Sequence, residues 1–172
     1  TDEGMLTLKR TIESKKTIQS LRLDVGYCEN ICDDGVSRIL EGAYGHRQID
    51  ELEISFSNCQ KISDIRFYDI FSWKKEMKKV TLVLENCFIS ELSMQSIRKR
   101  VPTKPIQNLT VILSGCGKLG FNGIDLFCEV LQKFIVMKSG YIDLHGIADI
   151  TEEQQVEIRK KVEKLPNIQF NF

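Results

Sequence analysis

The segments LRLDVGYCENI (residues 21–31), LEISFSNCQKI (52–62), LVLENCFI (82–89) and LTVILSGCGKL (109–119) share one pattern. Each sets alternating apolar residues a short step ahead of a cysteine. Cys28, Cys59, Cys87 and Cys116 recur about every 30 residues, the period of a stacked supersecondary unit. Aligning the chain on them brings other columns into line. Seven, five and three residues before each cysteine stand Leu21, Leu23 and Val25; Leu52, Ile54 and Phe56; Val80, Leu82 and Leu84; Leu109, Val111 and Leu113. Ten before stand Ile18, Ile49, Met77 and Ile106. The pattern then outlives its cysteine. Ile142 and Leu144 take strand positions, Ile147 the cysteine slot, and Ile168, Phe170 and Phe172 open a last half-unit.

The period-two runs imply strands with one apolar face. Between them the spacing turns helical. DDGVSRILEGAYG starts with acids and stops at Gly45, and ISDIRFYDIFSWKKEM ends in basic residues. ISELSMQSIRKRVP stops before Pro102, and NGIDLFCEVLQKF places Ile124, Phe127, Cys128 and Leu131 on one face. TEEQQVEIRKKVEKLP opens with a near capping box at Thr151. Each unit is therefore strand, turn, helix. A lone unit cannot bury its apolar face, so the units must stack, with strands in one parallel sheet and helices on its other side.

The columns L-x-x-L-x-L-x-L-x-x-C-x-x-I, followed by a helix, resemble leucine-rich repeats of the long, ribonuclease-inhibitor-like type. The L-x-L-x-L strands are similar to those of protozoan, including ciliate, repeats. The resemblance covers roughly residues 17–172. It implies an α/β leucine-rich-repeat solenoid with a curved parallel sheet on the concave side and helices on the convex side. About five units and a closing strand make up the domain 17–172, and residues 1–16, outside the pattern, are expected to form an N-terminal capping element. The third unit lacks one residue after its cysteine, and the fifth lacks Cys or Asn in that slot. For function the resemblance implies a scaffold, adaptor, inhibitor or substrate receptor, not an enzyme.

The bulk composition narrows the classes further. The 172 residues carry 24 basic and 24 acidic side chains, so no basic excess points to nucleic acid. No apolar run approaches the length of a membrane span, and the start TDEGMLTLKR shows no signal-peptide pattern. Six cysteines without a disulfide-type spacing point to free thiols and an intracellular, reducing compartment, cytoplasm or nucleus.

Cys28, Cys59, Cys87 and Cys116 are expected as a structural ladder of small buried thiols facing turn carbonyls. No rung offers a histidine partner, so neither a metal nor a catalytic role is expected of them. His46 and His145 stand far apart in the stack and are expected at the surface. SGCGKLGFNG follows a strand and opens a helix but lacks the P-loop spacing, because Leu119 follows Lys118. Asp33, Asp34, Glu152 and Glu153 suit helix N-termini. The sequon at Asn108 falls where a strand begins. Basic helix ends, Lys74 to Lys79 and Arg98 to Arg100, support an alternative reading as an assembly factor in a nucleic-acid-containing complex, although direct nucleic-acid contact is not expected. No cofactor is implied.

The strand positions that alternate away from the helices are the informative ones. Arg22, Asp24, Glu53 and Asp143 lie toward the ends of the sheet, with Val83, Ile112 and Tyr141 toward its middle. An apolar centre with a polar rim is the composition of a protein-binding face. Phe170 and Phe172, in the last strand, mark a second candidate contact at the open solenoid edge. The expected partner is another protein.

Overall fold

The computed structural model describes residues 1–63, 75–98, 106–133, 137–147, 150–165 and 167–172, with the side chains of 97 and 98 excepted. Helix α1 (Asp2–Ser14) precedes strand β1 (Ser20–Asp24), and α2 (Asp33–Gly45) precedes β2 (Glu51–Ser55). Then follow β3 (Met77–Val83), α3 (Glu91–Arg98), β4 (Ile106–Ile112), α4 (Gly120–Leu131), β5 (Ser139–Asp143), α5 (Glu152–Val162) and β6 (Ile168–Asn171). The helical segment read between Ile62 and Met77 lies largely outside the described residues.

The strands form one six-stranded sheet in the order β1-β2-β3-β4-β5-β6, every neighbouring pair parallel. Its register follows the repeat columns: Leu21 pairs with Leu52, Leu52 with Val80, Val80 with Leu109, Leu109 with Gly140 and Gly140 with Ile168. Such a register puts like residues on like rungs, so one apolar face runs the length of the sheet. Burial alternates along β2, β3 and β4, and Leu52, Ile54, Val80, Leu82, Leu109 and Val111 are buried while their neighbours are not. Each fully buried side chain of this size stabilises the fold by about 1.5–3 kcal/mol relative to exposure. This is an α/β solenoid built by stacking, with its core between the sheet and a layer of helices.

The helices complete the core through 3.6-residue spacing. In α2, Val36, Ile39, Leu40 and Ala43 are buried, and in α4, Ile124, Phe127, Cys128 and Leu131. Thr151 closes a full capping box with Gln154 at the start of α5, and Arg159, Lys160 and Lys161 occupy its last turn. At the other end, α1 lies against α2 where a preceding unit's helix would lie. Gly35 and Gly42 make the close approach possible: a Cβ on Gly35 would stand 2.4 Å from Asp2 Oδ1, and one on Gly42 3.2 Å from Lys9 Cα. Asp2 accepts from Cys32 N at 3.0 Å and from Cys32 Sγ at 2.7 Å. One unit later, Asp33 repeats the arrangement, accepting from Ser63 N at 2.8 Å and Ser63 Oγ at 2.9 Å. Residues 1–16 thus share a bonding pattern with the repeat units, which their apolar spacing had hidden.

Candidate functional site

The side of the sheet away from the helices carries two rows of side chains. One row reads Arg22, Glu53, Thr81, Thr110, Tyr141, Gln169, and the other Asp24, Ser55, Val83, Ile112, Asp143, Asn171. Val83 and Ile112 are direct cross-strand neighbours. Tyr141 stands beside Thr110 in the other row, diagonal to Ile112. All three are half-buried, neither core nor fully solvated. Thr81 Oγ1, one position from Val83 in the next row, is buried with no hydrogen-bond partner among the described residues.

The charged positions around this centre are already engaged. Arg22 Nε lies 3.1 Å from Glu53 Oε1, and Lys79 Nζ lies 3.7 Å from Glu53 Oε2. Asp24 Oδ1 accepts from Gly26 N at 3.0 Å. Asp143 Oδ1 accepts from His145 N at 2.9 Å and from Asn171 Nδ2 at 3.1 Å. These two carboxylates therefore brace the turns at their strand ends, a local role that strand alternation alone did not disclose. Lys78 pairs with Asp50 at 2.6 Å, which holds the Asp50 carboxyl below its usual range. Lys74, the side chain of Arg98, and Lys99 and Arg100 lie outside the described residues.

At the last strand, the rings of Phe170 and Phe172 stack with centroids 6.0 Å apart, and the Arg159 guanidinium sits 5.2 Å above Phe172. Both rings are half-buried. Helix α5 thus lends the edge a partial cover through its arginine.

The four aligned cysteines divide three to one. Cys59 Sγ donates to Val25 O at 3.4 Å, Cys87 Sγ to Phe56 O at 3.2 Å and Cys116 Sγ to Leu84 O at 3.1 Å. Each thiol satisfies a carbonyl of the preceding unit, and each is buried. Burial pushes the Cys87 thiol up to about 12 and Cys116 to about 11. Cys28 is only half-buried, because no strand precedes β1 to cover it. The described residues contain no group of three His, Cys, Asp or Glu able to hold a metal.

His46 departs from the surface position expected of it. It is buried, its Nε2 meets Lys15 O, and its Nδ1 accepts from Gln48 N at 3.3 Å. The ring ties the end of α1 to the loop after α2, a contact that exists only because α1 packs there. His145 is exposed. Asn108 lies inside β4, its amide donating to Lys78 O at 2.8 Å and accepting from Ser139 Oγ at 2.8 Å.

A second surface was not read from the sequence. The residue before each cysteine slot adopts a left-handed backbone: Tyr27 (φ 60°), Asn58 (61°), Asn86 (54°), Gly115 (71°) and Gly146 (69°). Asn and Gly tolerate this conformation, and a bulky side chain does not. Tyr27 is the exception, and it is 78 % exposed. With Phe88, 42 % exposed, it borders a groove of about 720 Å³ at the C-terminal ends of the first strands. The Tyr-Asn-Asn-Gly-Gly column was available in the alignment as a signal.

No protein-family model matches the chain, and no curated protein matches it in sequence. Among solved structures, the chain is similar to a tropomodulin C-terminal domain from Caenorhabditis elegans, with a TM-score of 0.54 and 12 % identity. That likeness covers 95 % of this chain and 92 % of the other. It is a likeness of fold, and it places the chain among leucine-rich-repeat-like α/β solenoids. Among the described residues, no helix is long and apolar enough to cross a membrane.

Proposed function

We propose that this chain is a non-enzymatic protein-interaction domain, a scaffold or adaptor within a larger assembly, that meets its partner through the open face of its sheet. The observation that carries the reading is the cluster of Val83, Ile112 and Tyr141, left half-exposed at the middle of a face whose charges are otherwise paired. Half-exposed apolar residues inside a polar rim gain from a partner that completes their burial. Arg22, Glu53, Asp24 and Asp143 would then set orientation from the rim, and Phe170 and Phe172 offer a second contact at the open edge. Residues 1–16 serve as a cap on the repeat domain 17–172, whose unit length favours the ribonuclease-inhibitor-like type. Six free thiols support a reducing, intracellular compartment.

The test uses a photo-crosslinking amino acid at Tyr141 and, as a control, at Val156 on the outer side of α5. Adducts are compared between otherwise wild-type chain and a Val83→Glu/Ile112→Glu pair, with circular dichroism showing that both are folded. The expected result is a discrete adduct from position 141, absent from position 156 and lost in the pair. Equal adducts from both positions, or adducts untouched by the substitutions, would overturn the sheet face as the site.

A further inference from the structure

We propose that the two ends of this sheet fit each other, so that a second copy of the chain docks head to tail, its β6 pairing parallel with β1. The inference rests on the open edge offered above as a second contact, and it does not draw on the sheet face.

Helix α1 gives the first reason. Thr1, Cys32 and Thr151 are the N-caps of α1, α2 and α5, and they fall in one column of the repeat. In that frame Met5, Leu8 and Ile12 lie on Val36, Ile39 and Ala43. Asp2 and Asp33, also in one column, hold the next unit through the same pair of bonds. So α1 is a repeat helix in frame, without a strand before it among the described residues. Its burial shows the lack, for Leu8 is half-buried where Ile39 and Phe127 are fully buried. At the far end the deficit is reversed. No described helix follows β6, and Val162, Leu165, Phe170 and Phe172 stay partly covered around an open cleft of about 370 Å³. A strand lacking its helix and a helix lacking its strand together make one unit.

Backbone direction supplies the second reason. At the junctions within the sheet, residues with inward side chains turn their amides toward the following strand. Val25 N donates to Ser55 O at 3.0 Å, Phe56 N to Val83 O at 2.8 Å and Leu144 N to Asn171 O at 2.8 Å. Phe172 holds the corresponding position after β6, and its N has no acceptor among the described residues. Asp24, the counterpart of Ser55, turns its carbonyl to the empty side of β1. In the docked pair Phe172 N meets Asp24 O. The thiols agree. Cys59, Cys87 and Cys116 each donate to a carbonyl of the preceding unit, and Cys28, in the same column, finds none. The carbonyl it lacks is that of Phe172 in the second copy. The bond from Gly26 N to Asp24 Oδ1 does not block this pairing. Asp143 makes the same bond to His145 N, and β5 is paired on both sides.

Side chains set the strength. Asn171, which donates to Asp143 Oδ1 across its own rung, comes to stand beside Asp24, and Gln169 beside Arg22. On α1, Gly4 shares a column with Gly35, which lets α1 approach α2, and a Cβ on Gly4 would meet only Thr1 Oγ1, at 3.8 Å. The outer face of α1 thus leaves the same room for α5 of the second copy. One column opposes the contact. Between α1 and α2, Lys9 pairs with Glu41 at 2.7 Å. Between copies, Arg159 takes the place of Lys9, and Arg10 that of Glu41. Two like charges there keep the association weak. A head-to-tail contact of this kind does not close on itself, so it propagates.

The experiment follows the mass of the full chain by sedimentation equilibrium from micromolar to millimolar concentration. The expected result is a mean mass that climbs without levelling at a dimer. Arg22→Pro removes an amide hydrogen that points to the empty edge, and Gly4→Arg crowds the outer face of α1. Phe172→Asp spoils the opposite edge. Each should stay monomeric, with circular dichroism showing that it is folded. Mixing Gly4→Arg with Phe172→Asp should restore a species of two copies and no larger, because one sound junction remains. Arg10→Glu recreates the Lys9–Glu41 pattern and should tighten association about tenfold. The Val83→Glu/Ile112→Glu chain should assemble as wild type does, so a failure here leaves the sheet face untouched. A monomer throughout, a mass that levels at a dimer, no recovery on mixing, or weaker association on Arg10→Glu would each overturn the proposal.

Discussion

The central and terminal rungs of this sheet carry the same residues in the same columns and bury them to different depths. In β2, β3 and β4 the inward positions are 0–2 % exposed, whereas Leu21 and Leu23 in β1, Val25 just after it, and Phe170 and Phe172 in and just after β6, are only partly covered. The chemistry of a column therefore does not set its contribution; its neighbours above and below do. In a stack where each unit touches only the next, stability is approximately a sum over interfaces, and a terminal unit has one fewer.

The largest effect that tests this contrast is a pair of truncations in one column. Phe56 is fully buried, and Phe56→Ala should cost about 3–5 kcal/mol from lost transfer energy plus the cavity. Phe172→Ala removes the same ring at the open edge, with its Phe170 stack and Arg159 contact, and should cost about 1–2 kcal/mol. Urea unfolding with unchanged m-values measures both. Equal losses would show that β6 is covered as well as β2 is.

The turn column gives the next contrast, with opposite signs. Gly115→Ala puts a Cβ at φ 71° and against the Asn86 amide, and should cost about 1–2 kcal/mol or more. Tyr27→Gly relieves the same backbone conformation where no burial is lost, and should gain up to about 1 kcal/mol. Thermal melts of the two variants read the signs directly. A loss on Tyr27→Gly would mean that the ring holds the fold rather than being displayed by it.

The thiols extend the contrast to reactivity and pH. Half-buried Cys28 and Cys32 should react with a thiol reagent well before Cys59, Cys87, Cys116 and Cys128, which are buried. Cys32 should lag Cys28, because its bond to Asp2 raises its pKa. Burial holds Cys87 and Cys128 at about 12 and Cys116 at about 11, against 9.0 for a free thiol. A raised pKa means that the unfolded thiols ionise first. Their contribution is fully present below pH 9.0 and declines as pH rises toward 11–12. Peptide mapping after brief labelling and denaturant midpoints across that window check the two halves. Uniform labelling would contradict the burial gradient.

Which features were legible in the sequence follows from how far apart the interacting residues are. The strands, their register and the helices α2, α4 and α5 came from periods of 2, 3.6 and about 30, all local or repeated signals. Asp2 with Cys32 and Asp33 with Ser63 were not legible, because a carboxylate at a helix start looks the same whether it caps its own helix or the next unit's. His46 was read as surface because its partner, Lys15 O, lies just past the end of a helix that the repeat did not predict. On the sheet face, alternation placed Val83, Ile112 and Tyr141 in the correct rows. It could not say that Asp24 and Asp143 would turn their oxygens to nearby backbone and side-chain donors.

The smallest effect concerns that face and separates stability from binding. Thr81 lies in the sheet's middle with a buried hydroxyl and no protein partner among the described residues. Thr81→Val replaces that hydroxyl with a methyl of nearly the same shape, so an unsatisfied polar group disappears and stability should rise by up to about 1 kcal/mol. The same change widens the apolar patch around Val83 and Ile112, its neighbours in the adjacent row and strand. If the sheet face is where a partner docks, Thr81→Val should leave the adduct at Tyr141 in place while raising the melting temperature. Destabilisation would instead mean that the hydroxyl is bonded through a water, and that the middle of the face is wetter than its residues suggest.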